Sequence, residues 1–186
     1  MAKLVPENHA ALHDIAIEIT ESEITDGTVT KILKGMRQAI KTYEVDGFTA
    51  VAIAAPQIGV AKRMFLIEDQ TNKKEGDEDR LPTIVAINPR IVKASKKRKV
   101  VGEGCLSVKD RYGLVDRSTN VTLEATDENG ELFTRGAGGL LAQIIQHECD
   151  HLDGILFVDK AEKIVEKKDI DNSKNVDEEN NEDDVT

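Results

Sequence analysis

Five residues, His147-Glu148-Cys149-Asp150-His151, constrain what this chain can fold into more than any others. They sit in a periodic apolar stretch. Leu140, Leu141, Ile144, Ile145 and Leu152 recur at helical spacings between Gly138-Gly139 and Asp153-Gly154, which predicts a helix over 140–152. On a helix, positions i and i+4 stand one above the other, so both imidazoles reach one ion. Glu148 lies one step round from His147, close enough to touch a water on that ion without displacing it. The plainer reading is two histidines on a charged surface helix. The neighbours Leu140, Ile144 and Leu152 are apolar, however, and a buried polar pair needs a partner, which favours a site. Cys149, two residues from His147, points about 200° round the helix and reads as core.

A hydrolytic metal site takes three protein ligands and keeps one position open. In the pattern H-E-x-x-H-x-x-G-x-x-H a histidine six residues on completes the set; here Gly154 fits and Phe157 stands where that histidine would be. Other candidates are Glu162 and Glu166 downstream, the pair His9 and His13, also spaced by four, and Cys105 in Glu103-Gly104-Cys105-Leu106-Ser107. Gly102 and Gly104 would let other backbone, or a substrate, approach closely. The bland reading of Cys105 is a small buried hydrophobe. From residue types and spacing alone, the third ligand stays open among these.

The rest reads as α+β: small antiparallel or mixed strands around the central H-E-x-x-H helix, with an N-terminal amphipathic helix. That first helix is predicted over 26–47, where Val29, Ile32, Leu33, Met36, Ile40 and Tyr43 recur at three and four, with Asp26 as cap and Gly47 as stop. Strands are predicted over 63–67, 83–87, 90–93, 121–126 and 131–134, with Asn129-Gly130 as a hairpin turn. The polar segment 68–80 reads as a mobile loop between two strands.

Charge marks a boundary. Residues 166–186 hold nine acids against three bases, too few apolar groups to offset the entropy of ordering, so a catalytic unit over 1–165 and an acidic, disordered tail over 166–186 are expected. The whole chain, at net −10, is a poor fit to DNA, which requires a basic face. No apolar run reaches the ~18 residues needed to span a bilayer, and no secretory pattern opens the chain, so no membrane partner is expected. Two cysteines cannot build a secreted disulfide framework, which makes the cytoplasm the expected compartment.

Three segments together resemble the peptide deformylases. The family's motifs, G-x-G-x-A-A-P-Q, E-G-C-x-S and Q-H-E-x-D-H, stand here as the segment from Ala50 to Gln57, Glu103 to Ser107, and Gln146 to His151, in the family's order. The resemblance covers about residues 4–160. It implies Cys105, His147 and His151 as metal ligands, Glu148 as general acid/base, and Gln57 with the backbone N–H of Leu106 as the oxyanion donors. It implies removal of the formyl group from N-formylmethionyl peptides, with formate released. The ion expected is Fe²⁺, with Zn²⁺, Ni²⁺ or Co²⁺ able to substitute, since ligand type alone does not select among them. An iron site with a thiolate ligand is expected to be oxygen-sensitive. Ala52 and Gly104 are expected to meet the substrate backbone, and helix spacing nominates Leu140 and Ile144 for the methionine pocket. A monomer is expected.

The chain also departs from the pattern. Ala50 and Ala52 replace both glycines of the first motif, and a left-handed backbone at either would make alanine strained. Lys109 stands where relatives often carry proline. Bacterial relatives dock on the ribosome through a basic C-terminal helix, whereas this chain runs Ala161-Glu162-Lys163-Ile164-Val165-Glu166-Lys167-Lys168 and then becomes acidic; Lys93, Lys96, Lys97, Arg98 and Lys99 are the other basic surface, and a solvated strand edge is their simpler role. Two alternatives follow: a formyl-peptide binder that has lost turnover, and a zinc peptidase indifferent to Cys105.

Overall fold

The computed structural model describes residues 3–43, 49–69 and 80–167. Among the described residues four α-helices, α1 (Glu21–Thr25), α2 (Thr28–Lys41), α3 (Gly139–Leu152) and α4 (Phe157–Lys160), accompany eight strands. One sheet holds β1 (Ala52–Ala54), β2 (Met64–Ile67), β3 (Ile84–Ala94), β6 (Asn120–Thr126) and β7 (Leu132–Gly138), in the order β1-β2-β3-β6-β7. The other holds β4 (Arg98–Cys105), β5 (Val108–Ser118) and β8 (Lys163–Glu166), with β5 in the middle. Every pairing between these strands is antiparallel, and the fold class is α+β.

β2 and the first residues of β3 are buried on both faces of the larger sheet, and their alternation assigns each face a helix. Met64, Leu66, Val85 and Ile87 pack with Val29, Ile32, Leu33, Met36 and Ile40 of α2. Phe65, Ile67, Ile84 and Ala86 pack with Ala142, Ile145 and Cys149 of α3. Fully burying one such side chain is worth about 1.5–3 kcal/mol, so the two helices and the sheet between them hold much of the fold together.

The helix expected over 26–47 is shorter. The Asp26 carboxylate accepts from the Thr28 N–H at 2.8 Å, but the helix ends at Lys41, where the Thr42 hydroxyl turns back to the Gln38 carbonyl at 2.9 Å. Gly47 lies outside the described residues, as do positions 70–79 of the segment read as a loop and everything from 168 on in the acidic tail. β8 runs through Glu166, one residue past the expected edge of the catalytic unit.

The strands expected over 83–87 and 90–93 are one strand, β3, with an irregularity at Asn88. Asn88 has φ 50, a region asparagine tolerates better than most residues. Its amide spans to Ile19, accepting from the Ile19 N–H and donating to the Ile19 carbonyl, both at 2.8 Å. The predicted hairpin forms between β6 and β7: the Asp127 carboxylate accepts from the N–H groups of Asn129 and Glu131, and Gly130 takes φ 87.

α3 lies between the sheets and ends as predicted. Gly154 adopts φ 73, and a Cβ there would stand 2.6 Å from the His13 carbonyl oxygen, so only glycine lets the N-terminal segment cross the helix end. No helix among the described residues is long and apolar enough to cross a membrane.

Candidate metal centre

Two elements converge on the site. α3 supplies His147, Glu148 and His151 from one face, with His151 1% and Glu148 4% exposed. The β4–β5 hairpin supplies Cys105, which pairs with Val108 across the two-residue turn Leu106-Ser107 and so stands at the hairpin tip. The register slips between Glu103 and Cys105, and Asp110 opposite takes φ 57; such bulges re-aim a strand end. Ligand atoms of Cys105, His147 and His151 all lie within 4.8 Å of one another, the one such group among the described residues. Cys105 Sγ is 3.2 Å from His151 Nε2.

The surrounding groups fix these side chains. His147 Nδ1 lies 3.0 Å from Glu103, which leaves Nε2 for an ion. Glu103 is gripped in turn by Arg117, at 2.8 Å through each oxygen, and a third Arg117 nitrogen meets Asp150 at 2.6 Å. Lys160 closes the chain on Asp150. The candidate ligand His147 on α3 and the strands beside it are therefore tied by a buried ion network in which each charge has a partner.

The electrostatics fit a cation. Burial works against the Cys105 thiolate, but the charge of His151 and hydrogen bonds from both imidazoles outweigh it and pull the thiol well below its usual value. Burial likewise opposes the Glu103 carboxylate, yet Arg117 and His147 hold it at about 2. Glu148 goes the other way: burial pushes it up to about 7, a value suited to taking and giving a proton near neutrality. Glu148, which lines the cavity beside Cys105, has its Oε2 buried without a partner, so the site holds a polar atom placed for something besides protein. A thiolate donor, two imidazoles and an orphaned carboxylate oxygen together suit a divalent ion with an open position.

Comparison with known proteins agrees. A family profile for polypeptide deformylase matches residues 1–167. The chain belongs to the polypeptide deformylase family. A peptide deformylase of Rhizobium meliloti is 40% identical over 145 residues, spanning 78% of each protein. One from Carboxydothermus hydrogenoformans is 40% identical over 165 residues, covering 89% of this chain and 96% of that protein. A Met-Ala-Ser-bound class I type b peptide deformylase from Acinetobacter baumannii superposes with a TM-score of 0.75 at 29% identity, over 86% of this chain and 99% of that one. Deformylases are metal-dependent hydrolases that remove the formyl group from the N-terminus of new polypeptides, and this chain is one of those enzymes.

Gln57 is buried; its Oε1 accepts from the Ala54 N–H at 2.8 Å, which turns Nε2 toward Cys105 Sγ and Ser107 Oγ, each at 3.4 Å. Ala52, Gly104, Leu106 and Ile144 line a cavity of about 300 Å³ that reaches His147 and Glu148. Leu140 lines it too, but at 58% exposure it stands at the rim rather than deep in a pocket. The remaining ligand candidates lie elsewhere. His9 caps a short 3-10 turn, His13 meets the Glu7 carbonyl, and Glu166 pairs in β8 opposite Arg111. Cys149 is core, its thiol pushed up to about 12 by burial. Sequence reasoning missed the supporting roles of Glu103, Arg117 and Asp150. Asp150 stood three residues after His147, on an adjoining face, and was the one with a readable signal.

Proposed function

We propose that Cys105, His147 and His151 hold the divalent ion, that Glu148 is the general acid/base, and that Gln57 and the Leu106 N–H bind the developing oxyanion. The observation that carries this reading is the convergence of a low-pKa thiol from the hairpin tip with both helix imidazoles beside the unpartnered Glu148 oxygen. When bound, the ion supplies Lewis acidity at the formyl carbonyl and draws the ionisation of water toward neutrality. Glu148 accepts the proton that water gives up, burial having raised its affinity for protons above that of an ordinary carboxylate. It then delivers that proton to the departing amine nitrogen, leaving formate and a free N-terminus. Gln57 Nε2, aimed by the Ala54 bond on its other end, is held ready for the carbonyl oxygen; one such donor is worth about 3 kcal/mol in a transition state.

The substrate proposed is an N-formylmethionyl peptide. Its first side chain enters the cavity walled by Ile144 and Leu140, between the edges of β1 and β4. The Met-Ala-Ser carried by the Acinetobacter baumannii relative supports that choice. Fe²⁺ is the proposed native ion, with Zn²⁺, Ni²⁺ or Co²⁺ as substitutes; the enzyme is proposed to work as a cytoplasmic monomer, with residues 1–166 as the catalytic unit.

The alternative of a binder without turnover rested on strain at Ala50 and Ala52. Among the described non-glycine residues only Asn88 and Asp110 have positive φ, so both alanines sit in ordinary backbone and that ground is gone.

Formate release from formyl-Met-Ala-Ser by anaerobically purified protein, loaded separately with Fe²⁺, Ni²⁺ and Zn²⁺, tests the proposal. Turnover is expected, with a loss of about 10²–10⁴-fold in Glu148→Ala at unchanged metal content. A Glu148→Ala enzyme as fast as wild type would overturn the assignment.

A further inference from the structure

The cavity of about 300 Å³ beside Cys105 and a second of about 230 Å³ have two wall residues in common, Leu140 and Gln143. The second cavity lies toward Lys99, Val101 and Thr119. Gln143 reaches from α3 to the strand edge, where its Nε2 donates to the Gly102 carbonyl at 2.8 Å. A carbonyl only accepts, so the amide nitrogen must be the atom that faces it, and the side chain is fixed across the gap between helix and strand. A Cβ built on Gly102 would meet nothing within 4 Å, so the strand offers no bulk of its own there. Leu140, the other shared residue, is largely exposed. The Gln143–Gly102 bridge is thus the ordered barrier between the two spaces.

The geometry points to Gln143 as a specificity-determining residue: its bridge to Gly102 ends the pocket for the first side chain and limits it to about the length of methionine. Gln143 lies one helical turn before His147, roughly 6 Å along the axis, a reach comparable to an extended methionine side chain. Without the bridge, the two spaces join and a longer side chain extends toward Val101. The inference rests on the proposed entry of the first side chain into this cavity.

The test compares formyl-Met-Ala-Ser with the same peptide carrying S-butylhomocysteine first, three methylenes longer, on metal-loaded wild type and Gln143→Ala. Alanine favours helix, so α3 is retained. Each methylene that fails to fit a pocket changes kcat/KM by roughly tenfold or more. The ratio of kcat/KM for the long peptide over the methionine peptide is expected to rise at least tenfold in Gln143→Ala. The same ratio is taken from calorimetric binding of the two deformylated peptides, which needs no chemistry, so a variant with damaged turnover still gives an answer. A ratio within twofold of wild type in both readouts overturns the inference. Wild type that releases no formate from formyl-Met-Ala-Ser would instead defeat the functional reading, and the binding ratio would still report on Gln143.

Discussion

His147 Nδ1 lies 3.0 Å from Glu103, and Glu103 is itself clasped by Arg117 through both oxygens. The proposed ion ligand His147 is therefore oriented by a carboxylate that comes from the same strand as Cys105. Glu103→Gln is expected to weaken Zn²⁺ binding about 10–100-fold, as removal of such an orienting partner usually does, measured by competition with a chelator. Unchanged affinity would mean that Glu103 serves the fold alone.

The same carboxylate gives stability a pH dependence. Its pKa of about 2 in the folded chain lies below the ordinary 4.5, so folding favours the ionised form. The contribution is full above about pH 4.5 and disappears as pH falls toward 2. In the metal-free protein, the Tm gap between wild type and Glu103→Gln is expected to be widest above pH 5 and to close toward pH 2. A gap that does not change with pH would contradict the ion pairing.

The two cysteines should separate chemically. Cys105 borders the cavity with its thiol pulled down, whereas Cys149 is buried among apolar groups with its thiol at about 12. Iodoacetamide at pH 8 is expected to label Cys105 and spare Cys149 in folded, metal-free protein, with peptide mass spectrometry as the readout. Equal labelling would remove the basis for treating one as ligand and the other as core.

Asn88 joins β3 to the N-terminal segment by two hydrogen bonds at 2.8 Å from a left-handed backbone. Asn88→Ala breaks both and strains the backbone, and is expected to destabilise the chain by about 2–4 kcal/mol in urea unfolding. A change below about 0.5 kcal/mol would show that the strand tolerates other residues there.

What could be read from the sequence follows the physics of each element. α3 and α2 were legible because their apolar residues repeat at helical spacing, and the β6–β7 hairpin because Asn129-Gly130 suits a tight turn. β4, β5 and β8 were not legible. β4 opens on Arg98 and Lys99 and carries two glycines, and the inward side chains that align it with β5 include the charges of Glu103 and Arg117. Charged residues on an inner face erase the apolar alternation that marks a strand, and only their pairing in three dimensions makes them core. In the site, spacing exposed the two imidazoles and Glu148, which share a helix. Cys105 lies 46 residues from His151, so no periodicity linked them, and only resemblance to the family's motifs joined the two. Whether Ala50 and Ala52 are strained depended on backbone angles, which residue names do not carry.

One ion shared by one sulfur and two imidazoles is the centre of the proposed chemistry. X-ray absorption on the zinc-loaded enzyme tests that most directly. One sulfur at about 2.3 Å and two histidine nitrogens at about 2.0–2.1 Å are expected around the ion, the sulfur disappearing in Cys105→Ser. A shell of nitrogen and oxygen alone, or one unaltered in Cys105→Ser, would contradict it.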